Sequence, residues 1–340
     1  MSTGEVGMPT INELLASVPS DVHKTVRETI DRARPIIREA MRAECRLSMN
    51  AGADDVEERA VRAQVPIKIS SAMPDGLASL TISDDAAQLL ALAPMAATLQ
   101  AMDAGMPSLI RFNQGLRVHP GRRIKAIENA AALDSVRAWA SELWSALRDE
   151  NPVKVVLNVD RDTLGLYSYD AHEDDEAVAN AASILLYWMP IGLVANAACV
   201  KVEDLTVVVL THELAHAYTQ LGADIEGRRW PSAAYERAAT ALKEALAQYY
   251  TERCLARMRQ RFPLAEQAFE RLVELQPKVY SEHEEFSGTV SPEAVRWAML
   301  EVRRYPAATL DDFKSRLVVA AKRYPARPAR EVAGRWEEGL

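Results

Sequence analysis

Two histidines and a glutamate lie together near the middle of the chain, with a spacing that suits metal chemistry. His212 and His216 are four residues apart, and Glu213 directly follows the first histidine. On an α-helix this spacing puts both imidazoles on one face, where their nitrogens can bind a single metal ion. Glu213 would then lie where its carboxylate can reach a water molecule on that metal. This HExxH pattern predicts a zinc ion with an adjacent general base.

The residues before the motif are apolar, with the sequence LTVVVL at 205–210. We therefore predict that this helix is buried. Two imidazoles and a carboxylate are costly to bury without partners, and a metal ion would supply the missing partner. The competing interpretation is that both histidines are ordinary hydrogen-bonded or surface residues and that Glu213 is solvated.

A catalytic zinc ion usually has three protein ligands and one open position for water. Two glutamates downstream of the motif, Glu236 and Glu244, are candidates for the third ligand. We favour Glu244 because it lies among alanines and leucines, which predict burial and close packing of two helices. Glu236 would lie near a helix start, where a carboxylate often interacts only with the helix dipole. The sequence leaves both glutamates open.

The segment His212-Glu-Leu-Ala-His216, followed by Glu244-Ala-Leu-Ala-Gln-Tyr, resembles the gluzincin metallopeptidases over about residues 123–255. In that family a second helix downstream of the motif supplies a glutamate ligand. The resemblance implies zinc-dependent hydrolysis of peptide bonds on a zincin-like core, in which a twisted sheet precedes the active helix. An edge strand of that sheet, at 164–169 or 184–188, would hold an extended peptide by strand addition.

The resemblance has limits. In thermolysin, the best-known gluzincin, an aspartate follows the glutamate ligand by four residues. Here Gln248 follows Glu244 and Thr240 follows Glu236 at that distance. The thermolysin spacing favours Glu236, whereas the longer spacing to Glu244 looks more like the minimal intracellular gluzincins. The close subfamily and the substrate therefore stay open.

The resemblance also implies a mechanism. Zinc lowers the pKa of its bound water, Glu213 takes the proton as general base, and the proton later goes to the leaving amine. A second electrophile, usually a tyrosine, histidine or arginine, stabilises the oxyanion. We predict Tyr250 for this role, with Tyr249, Tyr235 and the more distant His283 as alternatives. For each of them, packing is the competing interpretation.

The loop at 221–230 joins the two helices that would carry the ligands. Gly222 is suited to a helix end. Asp224 would either hydrogen-bond a ligand histidine or simply cap the turn. Trp230 would either line a substrate cleft or pack beside Pro231. The acidic run at 172–176 is expected to be a solvated loop and not a second metal site.

The remaining pattern predicts an α+β protein that is predominantly helical. Helical periodicity covers 11–62, with a break near 51–53, and then 123–148, 203–221, 232–261, 264–276, 292–304 and 310–324. Short β-prone runs lie at 65–70, 77–82, 109–112, 116–118, 153–159, 164–169 and 184–189. We divide the chain into a mainly helical N-terminal region with short β-hairpins (1–122), a zincin-like core (123–260) and a helical C-terminal extension (261–340).

The chain has 340 residues, of which 49% are hydrophobic and 26% charged, with a net charge of -8. These figures are typical of a globular protein and exclude a disordered or collagen-like chain. The acidic balance argues against nucleic acid or an anionic membrane as a partner. Three widely spaced cysteines indicate reduced thiols, and the N-terminal residues do not resemble a signal peptide, so we expect a cytoplasmic location. The apolar run at 184–200 is interrupted by proline, glycine and asparagine, which favours a buried strand and a connection over a membrane span.

We therefore expect a zinc metallopeptidase that acts on a peptide or protein substrate, with His212, His216 and Glu244 as zinc ligands and Glu213 as general base. Two alternatives stay open. One is a catalytically inactive zinc-binding regulatory or protein-interaction module on the same fold. The other is a helical interaction protein without a metal.

Overall fold

A computed structural model describes residues 11–49, 65–74, 153–159, 163–169 and 182–326, with parts of 77–102 and 135–147. In chain order its helices are α1 (Ile11–Ala16), α2 (Asp21–Cys45), α3 (Val153–Val159), α4 (Trp188–Ala197), α5 (Val202–Leu221), α6 (Ser232–Arg237), α7 (Thr240–Met258), α8 (Ala265–Leu275), α9 (Pro292–Val302) and α10 (Leu310–Arg323). Two short 3-10 turns, Lys278–Tyr280 and Glu282–Glu285, lie between α8 and α9. The predicted α+β class, predominantly helical, is confirmed.

A small mixed sheet lies beside the helices. Its strands are β1 (Ile67–Ser70), β2 (Gly165–Ser168) and β3 (Ser183–Tyr187). The strand β3 is in the middle, parallel to β1 and antiparallel to β2. The strands predicted at 65–70, 164–169 and 184–189 are therefore confirmed, with β3 ending where α4 begins. The sequence offered 164–169 or 184–188 as the edge strand. Among the described strands, β2 is at an edge of the sheet and β3 is in its middle.

The helix α5, which carries the HExxH motif, runs through the centre of the protein. Almost every side chain from Leu205 to Leu221 is buried, as the apolar run before the motif predicts. The threonines inside the helix satisfy their hydroxyls locally: Thr206 and Thr211 each donate to a carbonyl one turn earlier, at 2.7 Å. The helices α2 and α7 pack along α5, and β2 also contacts it. The helix α5 is therefore held in position by packing against several elements.

The amphipathic helix α2 supplies one wall of that core. Its buried residues recur at helical spacing, which puts one apolar stripe against α5 and leaves the charged residues in solvent. The stripe consists of Val26, Ile30, Ala33, Ile37, Met41 and Cys45. A single cluster of buried apolar residues extends from α1 to α10. The domain boundaries near 122 and 260 stay predictions.

A buried arginine holds the C-terminal end of α5. The Arg303 guanidinium, just after α9, donates to the carbonyls of Gly222 at 2.9 Å and Tyr218 at 3.4 Å, and also to Thr219. The last carbonyls of a helix lack partners within the helix; that of Tyr218 also accepts from the Gly222 amide at 3.0 Å. Burial lowers the pKa of Arg303 to about 10. Gly222 is required at this end because an added Cβ would lie 2.4 Å from the Tyr218 carbonyl oxygen.

Two predicted elements differ in the structure. The strand expected at 153–159 is wrong, because this segment forms α3. Val153, Val156 and Leu157 are buried while Lys154 and Val155 are exposed, which is the three-and-four spacing of a helix face. The single helix expected at 232–261 is two helices, α6 and α7. Between them Ala238 and Ala239 are not helical, and the Ala239 amide donates to the Ala308 carbonyl at 2.8 Å.

Several other expectations concern residues that the structure does not describe. The hairpin strands at 109–112 and 116–118, the helix start at 123–134, the break near 51–53 and the acidic run at 172–176 all lie outside the described residues. In the run at 77–82, Leu77 is helical and not extended. The connection predicted after β3 is the helix α4. Among the described residues no helix is both long enough and apolar enough to cross a membrane.

Candidate metal centre

Two packed helices bring three potential metal ligands together. His212 and His216 project from one face of α5, and Glu244 projects from the second turn of α7. The two helices pack on each other, and several of their small residues are buried, among them Ala215, Ala245 and Ala247. Their small side chains let α5 and α7 approach closely enough for the carboxylate to reach both imidazoles. The close packing expected from the alanines around Glu244 is present.

The ligand atoms are spaced as a tetrahedral zinc site requires. His212 Nε2 lies 3.1 Å from His216 Nε2 and 3.2 Å from Glu244 Oε2, and His216 Nε2 lies 3.6 Å from that same oxygen. With zinc–ligand bonds of about 2.0–2.1 Å, two ligands of a tetrahedral ion are about 3.3 Å apart. The three separations bracket this value. Among the described residues, this cluster has the donor atoms and the spacing to hold a metal ion.

Glu244 is suited to act as an anionic ligand. Its side chain is only 7% exposed, and burial alone would raise its pKa. The adjacent His216 and His212 more than offset this effect, through charge and hydrogen bonds, and hold the pKa of Glu244 well below its ordinary value. The carboxylate therefore stays ionised, which a zinc ligand must be.

A chain of hydrogen bonds fixes the orientation of His216. Its Nδ1 lies 3.2 Å from the Tyr235 hydroxyl, which in turn hydrogen-bonds Thr219. The Thr219 hydroxyl donates to the Ala215 carbonyl at 2.8 Å. Burial raises the pKa of Tyr235 well above its ordinary value, so the phenol stays protonated. The Tyr235 oxygen can then accept a hydrogen bond from Nδ1–H of His216, which leaves Nε2 of His216 as the candidate metal ligand.

Glu213 lies beside the ligand cluster and faces the sheet. It is 5% exposed, and the strand β2 passes close to it at Gly165. A Cβ added to Gly165 would lie 2.8 Å from Glu213 Oε1 and 2.9 Å from Val209 Cγ1. Glycine is therefore required at this position if Glu213 is to keep its place. The general base predicted from the HExxH pattern is held between α5 and an edge strand.

A pocket opens at Glu213 and His212. It holds about 440 Å³ of space, counting its open mouth. Aliphatic residues of α3, α5 and α8, with Leu164 just before β2, form one part of its wall, and polar residues form most of the rest. The aliphatic residues include Leu157, Leu164, Val208, Val209 and Leu272, and the polar ones are Thr163, Gln248, Gln276 and Tyr280.

Tyr280 is a site residue that the sequence did not reveal. It lies in the 3-10 turn after α8, is 3% exposed, and its ring centroid is 6.1 Å from that of His212. The Nδ1 of His283 lies 3.0 Å from the Tyr280 carbonyl oxygen, which ties down this turn. No motif or periodicity marks the segment, so only its proximity to the metal cluster in the fold identifies it.

The structure does not bring Tyr250 to the site. Its hydroxyl lies 3.7 Å from Met299 Sδ in the core, and its side chain is 1% exposed. Six residues after Glu244 on one helix correspond to more than one and a half turns, so the two side chains point in different directions. Tyr249 packs on Tyr250 and Phe286 and is also away from the pocket. Both tyrosines thus occupy packing positions.

The other residues that the sequence singled out lie outside the ligand cluster. Glu236 is exposed on α6, away from the histidine pair, so Glu244 is the glutamate in the cluster. Asp224 accepts from the amides of Glu226 at 2.8 Å and Arg228 at 2.9 Å, as a turn cap does. Trp230 is 1% exposed and packs edge-on against Tyr235, with ring centroids 5.2 Å apart.

Comparisons of the chain with models of protein families, with curated proteins and with solved structures give no match in any of the three.

Proposed function

We propose that this chain is a zinc-dependent metallopeptidase with His212, His216 and Glu244 as zinc ligands. The observation that carries the proposal is a ligand cluster with tetrahedral spacing next to a buried carboxylate, Glu213, which lines the same pocket as His212. Two neutral imidazoles and one carboxylate are the donor set of gluzincin zinc sites, and they leave one coordination position open for water.

Several residues of the chain would have distinct roles in hydrolysis. A bound zinc ion supplies a water of lowered pKa and polarises the scissile carbonyl. Glu213 takes the proton of the attacking water and delivers it to the leaving amine. Tyr235 orients His216, and Gly165 keeps Glu213 in place by leaving room for its carboxylate. Tyr280 is the tyrosine among the described residues of the pocket wall, and its phenol is our candidate for stabilising the oxyanion.

The sheet supports a peptide as the substrate. The strand β2 pairs with β3 on one side and, among the described strands, with none on the other. One face of β2 lies against Glu213 at Gly165, so an extended peptide that pairs with the free edge of β2 would run next to the site. Because Cys45 and Cys254 are buried free thiols, we place this activity in the reducing cytoplasm.

The test is zinc content together with peptide hydrolysis for the full-length protein. Wild type should contain about one zinc ion per chain, by the stoichiometry of a three-ligand site. Glu244→Ala should lose that zinc, whereas Glu236→Ala, the matched control on an exposed glutamate, should keep it. Glu213→Gln should keep zinc and lose cleavage of a diverse peptide mixture.

Each failure has a distinct meaning. A folded wild-type protein that takes up no zinc would refute the metal site. Zinc in wild type without cleavage of any peptide would favour the inactive regulatory or protein-interaction module. Unchanged cleavage in Glu213→Gln would remove Glu213 as the general base.

A further inference from the structure

A pair of glutamine side chains lies in the wall of the pocket beside the proposed general base. Gln248 follows Glu244 by one helical turn on α7 and is 2% exposed. Residues four apart share a helix face, so Gln248 points to the same side as the ligand. Its Nε2 donates to Oε1 of Gln276, at the end of α8, over 3.3 Å. Both glutamine side chains line the same pocket as Glu213 and His212.

The pair uses only part of its hydrogen-bonding capacity. One amide–amide bond consumes one N–H and one carbonyl. The carbonyl oxygen of Gln248 and the amide nitrogen of Gln276 have no other partner in the described part of the chain. If both amides are turned over, the result is the same: one carbonyl and one NH₂ group stay available. Buried amide groups normally find partners, so this pair can still bind a group with one donor and one acceptor.

Apart from the proposed zinc ion, the rest of the pocket offers no positive partner to an acidic side chain. Apart from His212 and the phenol of Tyr280, Glu213 is the single ionisable side chain among the described residues of the wall, and no lysine or arginine lines it. A carboxylate placed there would be repelled by Glu213 and would lose its hydration. A lysine would have Glu213 as its partner and so would hold the general base in an ion pair. A carboxamide is uncharged and matches the donor and acceptor of the glutamine pair.

We propose that the Gln248–Gln276 pair selects substrates that place an asparagine or glutamine side chain in the pocket beside Glu213. This inference rests on the proposed function, because the pocket is defined by the same site. Aliphatic side chains of Leu157, Leu164 and Leu272 would cover the methylene part of the substrate side chain. The amide pair would bind its tip. Gln248 and Gln276 are then specificity residues and not catalytic residues.

The test uses three zinc-binding probes that differ only in one side chain. They are the α-hydroxamic acids of N-acetylated glutamine, glutamic acid and leucine, titrated into the zinc-loaded full-length protein by calorimetry. Because two hydrogen bonds separate them, we expect the glutamine probe to bind about tenfold more tightly than the leucine probe. The glutamic acid probe should be the weakest of the three, since it brings a charge into the pocket.

Variants assign the preference to the amide pair. Gln248→Leu and Gln276→Leu should each reduce the ratio between the glutamine and leucine probes to about one, because either change removes the partner of the other amide. Gln267→Leu is the matched control, since it makes the same substitution at an exposed position of α8. It should keep the wild-type ratio. The Gln276→Leu variant, at a half-buried position, also serves if Gln248→Leu fails to fold.

The outcomes separate this inference from the proposed function. Absence of zinc, or absence of binding by all three probes, would refute the proposed function itself. Zinc with equal affinity for the glutamine and leucine probes, or with the glutamic acid probe binding best, would overturn the inference and leave the metal site standing. A glutamine preference that survives in both leucine variants would also overturn it.

Discussion

Replacing Gly165 by alanine tests whether the strand β2 positions Glu213, the proposed general base. The new Cβ would lie 2.9 Å from Val209 Cγ1 and 2.8 Å from Glu213 Oε1. Carbon atoms in favourable contact are about 3.5–4.0 Å apart, so the neighbours must move by at least about 0.6 Å. A misplacement of about 1 Å at a catalytic group costs about 100-fold in rate, so we expect a 10- to 100-fold loss of kcat. The metal ligands are not contacted, and zinc should stay bound.

The matched control is the same substitution at Gly192 in α4. There an added Cβ would lie 2.6 Å from Val18 Cγ1, in a contact between α4 and the segment that follows α1. Overpacking of this kind costs about 1–3 kcal/mol, so both variants should have a lower free energy of unfolding. Only Gly165→Ala should also lose activity beyond what its folded fraction explains.

The assay measures three quantities on the same samples: zinc content, melting temperature and hydrolysis of a quenched-fluorescent peptide that wild type cleaves. The expected pattern is a melting temperature lowered by a few degrees in both variants, with kcat lowered only in Gly165→Ala. A Gly165→Ala protein with full zinc and wild-type kcat would refute the idea that the close approach of β2 holds Glu213 in place.

The remaining predictions concern the metal ligand, the thiols and pH. Tyr235→Phe should weaken zinc affinity by about 10- to 100-fold, because His216 loses its hydrogen-bond acceptor. A chelator competition measures this affinity, and an unchanged zinc Kd would contradict the role of Tyr235. Iodoacetamide at pH 8 should alkylate Cys199 first, because Cys199 is half-exposed whereas Cys45 and Cys254 are buried. Burial raises the pKa of all three thiols, to about 11 for Cys45. Peptide mass spectrometry would show early modification of a buried thiol if this is wrong. Burial lowers the pKa of His283 in the folded protein. Below about pH 6.5 the imidazole therefore binds a proton more readily in the unfolded chain than in the folded one. The melting temperature of the chelator-treated protein should fall as the pH drops through this range. The decrease should be smaller in His283→Asn, and equal slopes would exclude this histidine as a source.

Local sequence determined the chemistry of the ligand helix. The four-residue spacing of His212 and His216 puts them on one face of any α-helix, whatever packs around it. The apolar run before them predicts a buried helix, and the alanines around Glu244 predict close packing of α7. Burial of Glu244 follows from the same pattern. These inferences succeed because they depend on the helix period and on side-chain size, which the sequence states directly.

The strand predicted at 153–159 was wrong because the apolar residues of this segment fit both the strand period and the helix period. In residues 153–159 the apolar side chains fit an alternating strand and also the three-and-four spacing of a helix. Packing of Val153, Val156 and Leu157 into the core decides for the helix. The break between α6 and α7 likewise has a distant cause, the hydrogen bond from Ala239 to the Ala308 carbonyl.

Only the tertiary structure decided which side chains complete the site. The sequence predicted Tyr250 as the second electrophile, with Tyr249, Tyr235 and the more distant His283 as alternatives. Folding puts Tyr235 on His216 and buries Tyr250 in the core, because their directions depend on how α6 and α7 pack on α5. Tyr280, Gln276 and Gly165 join the site from a turn, a helix end and an edge strand that are distant in sequence from the motif. No local period connects such residues, so their proximity depends on long-range packing alone.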